Sequence, residues 1–221
     1  VVEGGTVPAA IGGQAGELWS AFDFCGVTET GDWMVTGDTN AAVNTDEFVL
    51  VNGQIVLRES QTASGYLIAG DIEGAYLNED GDWAVIWDVV VNAVNVEALI
   101  LNGEVVLKEG DAVDMDNDGV AEPTSILTDF TGISALTLGD RDSQGRVQLC
   151  FTADVTVPGA PRSVAAAVPA LDLADTMVRH RFIRRLIALE VSDAIAATLR
   201  LVNLLVHRSP ELAGPAPEAE V

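Results

Sequence analysis

The chain has 221 residues and carries 34 acidic against 11 basic side chains, which gives a formal net charge of −23. A surface this acidic repels nucleic acid and anionic membranes and attracts cations, so nucleic-acid binding is excluded as a function class. The length is enough for one or two domains and for a buried core. No apolar run is long enough and free enough of charge to span a bilayer.

The charge is unevenly distributed along the chain. Residues 1–157 contain 27 acids and four bases, whereas residues 158–221 contain seven of each. This change of composition predicts an acidic domain over 1–157 and a separate C-terminal region over 158–221. The acid excess, the scarcity of lysine and the Gly/Asn/Asp-rich turns are typical of an extracellular or cell-surface protein, which is the expected localisation.

The first thirty residues resemble an incomplete copy of a unit found later in the chain. The opening VVEGG is similar to the end of VVLKEGD, residues 105–111, so the chain is expected to start within a unit. Residues 15–30, AGELWSAFDFCGVTET, predict the closing strands of that unit. Its expected core residues are Leu18, Trp19, Phe22 and Phe24.

Two stretches fifty residues apart form an internal repeat. Residues 31–62 align without a gap with residues 81–112, and eleven of 32 positions are identical. Each copy contains Asn-Gly between β-branched runs, which is the strongest short signal for a hairpin because both turn residues tolerate positive φ. Trp33 and Trp83 occupy the same repeat position and are therefore expected in the core.

A third and weaker copy starts at QGRVQLCFTAD, residues 144–154, after a 14-residue insertion in the second unit. The fold class predicted is all-β, built from antiparallel repeat units of about 50 residues that resemble propeller blades. A closed propeller takes about four or more blades, and this chain supplies fewer. We therefore expect a fragment, a subunit of an assembly such as a homo-oligomer, or a small sandwich.

The insertion contains the one pattern with identifiable chemistry. It reads Asp114-x-Asp116-x-Asp118-Gly119-x-x-Glu122. Alternating carboxylates on a tight loop converge on one point, and Val120 can add its carbonyl oxygen, so the loop is predicted to bind Ca²⁺. An EF-hand is excluded because its twelfth position, a bidentate Glu, is Ser125 here.

The same nine residues resemble the calcium loops of FG-GAP-type β-propellers, whose motif is D-x-D-x-D-G-x-x-D. Glu122 replaces the final Asp of that motif. Over residues 31–157 the order of hairpin, EGD and loop is similar to that of secreted bacterial propeller-like repeat proteins. The resemblance implies a calcium-stabilised propeller-like fold with Asp114, Asp116, Asp118, Val120 and Glu122 as ligands.

The C-terminal region has a different pattern. PGAPRSVAAAVPA, residues 158–170, predicts a linker, and an amphipathic helix is predicted to follow over about 172–208. Its apolar stripe runs through Val178, Phe182, Leu186 and Leu189, and its first half carries four arginines. Such a helix can cover a sheet edge of its own domain, bind a partner groove or contact an anionic membrane.

The sequence contains none of the common catalytic motifs. The two histidines, His180 and His207, both fall on the predicted helix, and Cys25 and Cys150 can be either bridged or free. The function expected is a secreted or cell-surface binding or structural module, stabilised by Ca²⁺ and without catalysis, whose partner is a protein or a glycan. The alternatives are a glycan-acting enzyme that uses rim carboxylates and a membrane- or filament-associated subunit that uses the Arg-rich helix.

Overall fold

The computed structural model describes residues 1–114, 120–131, 136–157, 160–172 and 187–190. These residues form an all-β fold of antiparallel sheets, one of which curls into half a barrel. The one helix in the described ranges is a single 3-10 turn, Ala9–Ile11. The predicted all-β class is therefore confirmed.

Three sheets follow one another along the chain. Sheet one has the order β1 (Trp19–Val27), β2 (Trp33–Thr39), β3 (Glu47–Val51) and β4 (Gln54–Arg58). Sheet two has the order β5 (Thr62–Ala63), β6 (Tyr66–Leu77), β7 (Trp83–Val91), β8 (Val94–Leu101) and β9 (Glu104–Lys108). Sheet three consists of β10 (Ala112–Val113), β11 (Glu122–Asp129), β12 (Thr137–Leu138), β13 (Arg146–Val157), β14 (Ala160–Asp172) and β15 (Ile187–Glu190). Its order is β10-β11-β13-β14-β15, and β12 also pairs with β13.

The Asn-Gly turns lie where the sequence predicts them. Asn52 and Gly53 join β3 to β4 with φ values of 48° and 78°, and Asn102 and Gly103 join β8 to β9 with φ values of 49° and 84°. Both pairs have positive φ, as a type I′ turn requires. The prediction of two hairpins is confirmed.

The asparagine of each turn makes the same contacts with the strand beside it. The N–H of Trp33 donates to Asn52 Oδ1 at 2.9 Å, and that of Trp83 donates to Asn102 Oδ1 at 2.9 Å. The amide nitrogen of Asn52 donates to Asp32 Oδ1 at 2.7 Å. The equivalent bond, from Asn102 to Asp82 Oδ1, is 2.8 Å. Each hairpin is thus tied to the start of the neighbouring strand by its turn residue.

Three five-residue turns lead into β2, β7 and β13 with one pattern. In each, the first residue donates its N–H to the carbonyl of the fifth, and the glycine at position four donates back to the first. The turns are Thr28–Asp32, Asn78–Asp82 and Asp142–Arg146. After the third turn, residues 146–154 of QGRVQLCFTAD lie on a strand, β13, that enters sheet three as β7 enters sheet two.

Sheet two packs between the other two sheets. Residues of β7 alternate in direction: Val85 and Trp87 pack with Met34 of sheet one, whereas Ala84 and Ile86 pack with residues of sheet three. The sheet-three side of that second cluster consists of Val113, Leu127, Phe130, Leu136, Leu138, Val147, Leu149, Phe151, Ala153 and Val155. Burial on both faces explains why β7 is apolar over most of its length.

The predicted core residues near the N-terminus differ in burial. Trp19 is buried and packs edge-on against Phe48, with 4.8 Å between the ring centroids. Phe22 is 37% exposed, so its assignment to the core is wrong. The reason is a register shift between Phe22 and Phe24, which breaks the inward–outward alternation of β1. Trp83 is buried and Trp33 half-buried at equivalent places.

The C-terminal prediction is corrected in two places. Residues predicted as a linker form β14, which pairs with β13 from Val157↔Ala160 to Arg146↔Asp172. Residues 187–190, predicted to be helical, form β15 on the other edge of β14. In both places pairing with a neighbouring strand outweighs the local sequence signal. The rest of the predicted helix and the tail lie outside the described residues.

Candidate metal centres

The predicted calcium loop is closed by a strand pair. Val113, the last residue of β10, pairs with Glu122, the first residue of β11. The first and last predicted ligands, Asp114 and Glu122, are therefore brought to the same end of the loop. Asp114 is completely buried, Glu122 is half-buried and Val120 is 60% exposed. The other predicted ligands, Asp116 and Asp118, lie outside the described residues.

A second group of acids, absent from the sequence prediction, lies in sheet one. Asp23 of β1, Asp38 of β2 and Glu47 of β3 each place a carboxylate oxygen within 4.8 Å of the others. Asp38 and Glu47 are direct partners across β2 and β3. Asp23 lies at the register shift between Phe22 and Phe24 in β1. A bulge of this kind changes the direction in which the side chain of its extra residue points. We call these three residues the sheet-one triad.

The triad is crowded with negative charge. Burial raises the pKa of Glu47 from its ordinary 4.5 to about 8; Asp38 and Asp71 add to the rise, while the backbone N–H of Ile72 opposes it. The pKa of Asp38 is also raised, by burial first and then by Asp23 and other acids nearby. At neutral pH the buried carboxylate of Glu47 therefore favours a proton or a cation.

A similar group, the sheet-two triad, consists of Glu97, Glu109 and Asp129. Glu97 lies fifty residues after Glu47 and occupies the corresponding place in β8. Its Oε2 accepts a hydrogen bond from the N–H of Phe130 at 2.8 Å, and Glu109 Oε2 accepts one from the N–H of Glu97 at 3.2 Å. Burial, opposed by Phe130 and aided by Asp129 and Glu109, raises the pKa of Glu97 to about 7.

Beside sheet one, a buried acid is paired with a basic side chain of the protein itself. Glu17 is buried and pairs with the buried Arg58, with 2.5 Å between Oε1 and Nη1. Burial favours a raised pKa for Glu17, but hydrogen bonds from Arg58 and Thr39 outweigh it and the pKa is lowered. In the two triads, by contrast, the causes of the raised pKa values include no basic side chain from the described part of the chain.

The sequence contained a signal for both triads. The identities of the repeat include Asp38/Asp88, Glu47/Glu97 and Glu59/Glu109, and four of these residues, Asp38, Glu47, Glu97 and Glu109, belong to the triads. Such identities at polar positions within strands point to a common role, but the alignment does not show which residues of other strands join them. Asp23 and Asp129 join the triads through strand pairings, and the 50-residue repeat alone does not predict these pairings.

The cysteines are separate in the structure. Cys25 on β1 is exposed and Cys150 on β13 is half-buried, and both are free thiols. Burial raises the pKa of the Cys150 thiol, which lowers its reactivity as a nucleophile. Of the two alternatives left by the sequence, the structure therefore has the free thiols.

The chain matches no protein-family model, no curated protein and no solved structure. Among the described residues, no helix has the length and apolar character needed to cross a membrane.

Proposed function

We propose that the protein is a binding or structural module of the cell surface or the extracellular medium, stabilised by Ca²⁺ and without catalysis. The observation that carries the proposal is the closure of the 114–122 loop by the Val113↔Glu122 pair. This pairing gathers the two ends of a segment with four acids, and hard oxygen ligands gathered in this way suit Ca²⁺.

The burial of Asp114 supports the loop as a metal site. Opposite charges attract more strongly where water is excluded than they do at an exposed surface. Asp114 is 0% exposed at the mouth of a loop whose other charged side chains are all acidic. A divalent cation bound there would balance the negative charge of these acids.

The finer architecture belongs to the same proposal. We regard the three sheets as successive propeller-like units of about 50 residues. The shared hairpin contacts of Asn52 and Asn102 support this interpretation, as does the position of sheet two between its neighbours. Stacked repeats bury their apolar faces only against each other, so a metal that fixes one unit also stabilises the next.

Thermal unfolding of the full chain with and without Ca²⁺ tests the proposal. We expect Ca²⁺ at 100 times its dissociation constant to stabilise the protein by about 2.7 kcal/mol. Asp116→Ala should remove the rise in melting temperature that Ca²⁺ causes through the loop. It should leave the melting temperature in chelator nearly unchanged. Glu29→Gln, at an exposed acid in the turn before β2, serves as the matched charge control and should keep the rise. An equal rise in wild type and Asp116→Ala would refute the loop site.

A second experiment separates a binding module from the glycan-acting enzyme. The full chain is applied to a glycan array, and every bound glycan is then incubated with the protein and examined for hydrolysis products. Binding without products supports the proposal. Products that disappear when a rim carboxylate is replaced by its amide would favour the enzyme instead.

A further inference from the structure

We propose that the sheet-one triad, Asp23, Asp38 and Glu47, binds a divalent cation at the junction of sheets one and two. Three adjacent strands, β1, β2 and β3, each supply one carboxylate, and the three oxygens lie within 4.8 Å of one another. Oxygens about 2.3 to 2.6 Å from a common centre are separated by distances of this order, so the spacing fits Ca²⁺.

The state of Glu47 points to a ligand independently of the clustering. Glu47 is 8% exposed, and its Oε2 has no hydrogen-bond partner within the part of the chain that the structure describes. An orphaned buried carboxylate oxygen costs about 1–3 kcal/mol or more, so native structures rarely keep one without a use. A cation beside Oε2 supplies the missing partner and balances the charge of Asp38 and Asp23.

The site has an opening and a second sheet behind it. Asp23 is exposed, so a cation can reach the triad from solvent on that side. On the other side the N–H of Ile72, in β6 of sheet two, approaches Glu47, and the neighbouring Asp71 adds a further negative charge. A cation held by three strands of sheet one therefore also fixes the contact of Glu47 with sheet two.

The sheet-two triad provides a comparison within the same molecule. Glu97 lies at the position equivalent to Glu47, but its Oε2 already accepts the N–H of Phe130, and Glu109 accepts the N–H of Glu97. Clustering of acids is common to both triads, whereas the buried oxygen without a partner is a property of Glu47. This difference assigns the cation site to sheet one.

The test measures Ca²⁺ binding by calorimetry on the full chain, in a background where Asp114→Asn and Asp116→Asn have removed the charge of two of the predicted loop ligands. We expect the background protein to bind one Ca²⁺. Adding Glu47→Gln should weaken that binding at least about tenfold, since even the partners of metal ligands are worth about 10- to 100-fold in affinity. Glu97→Gln and Glu29→Gln should leave it within about twofold.

Two outcomes would overturn the site. In the first, the background protein binds no Ca²⁺. In the second, Glu47→Gln and Glu97→Gln lower the affinity for Ca²⁺ equally, which would indicate diffuse attraction to an acidic surface. Near-UV circular dichroism checks that Glu47→Gln is folded, and Asp38→Asn replaces it if it is not. This test does not depend on the loop site. If the loop does not bind Ca²⁺, wild type and the background protein bind it equally. The loss of affinity on Glu47→Gln then still tests the sheet-one triad.

Discussion

Arg141 binds Asp82 at two points, with Nε 2.7 Å from Oδ2 and Nη2 2.5 Å from Oδ1. The Asp82 side chain is 2% exposed and lies directly before β7 of sheet two, whereas Arg141 lies between β12 and β13 of sheet three. Burial would raise the pKa of Asp82, but hydrogen bonds from Arg141 and Asn102 hold it below its usual value. This pair joins the start of β7 in sheet two to the segment before β13 in sheet three.

Replacing the arginine should therefore weaken the junction. We expect Arg141→Gln to lower the free energy of unfolding by about 1–3 kcal/mol, because Asp82 remains buried without its basic partner. Arg146→Gln is the control, since Arg146 and Asp142 form a pair whose side chains are both partly exposed, and it should have a smaller effect. Urea unfolding measures both. Equal effects of the two substitutions would show that Arg141 acts only through overall charge.

The turn asparagine of the second hairpin offers a second prediction. Asn102 accepts from Trp83 and donates to Asp82, whereas Asn92 stands at positive φ in the turn before β8, where it is exposed. Alanine at either position meets the same backbone strain. We expect Asn102→Ala to cost about 1–3 kcal/mol more than Asn92→Ala, at about 0.5–1.5 kcal/mol for each lost hydrogen bond. If the two substitutions lower the free energy of unfolding equally in urea, these hydrogen bonds make no net contribution to stability.

The hairpins could be predicted from the sequence because the signal is local. Asn-Gly needs no partner to favour positive φ at both turn residues, and the flanking runs alternate within five residues of it. The sheet-one triad could not be found in this way. It requires the bulge at Asp23, the pairing of Asp38 with Glu47 and the approach of Ile72 from another sheet, all of which depend on contacts between distant segments.

The C-terminal strands were missed for a related reason. Residues 161–170 contain four alanines and two prolines, and this composition indicates a linker. In the structure β15 pairs with Val164–Ala167, between the two prolines, so neither proline is required to donate to that ladder. Pro158-Gly159 is a turn dipeptide between two β-forming runs, and read as a hairpin turn it would have predicted β14.

The last prediction concerns the pH dependence of stability without metal. The pKa of Glu97 rises from 4.5 to about 7 in the folded protein, so the folded state binds this proton more tightly than the unfolded state. The resulting stabilisation is fully present below pH 4.5 and is lost as the pH rises through about 7. In chelator we therefore expect the melting temperature to fall between about pH 5 and 8.

Glu97→Gln isolates the contribution of Glu97 to this slope, to which Glu47, with a pKa of about 8, also contributes. Glutamine cannot ionise, so the variant should melt higher than wild type at pH 8 and show a flatter profile between pH 5 and 8. The comparison with Glu29→Gln at each pH removes the effect of overall charge, because Glu29 is exposed in the turn before β2. An unchanged slope in Glu97→Gln would mean that the repulsion among Glu97, Glu109 and Asp129 is relieved by solvent or by movement of these side chains.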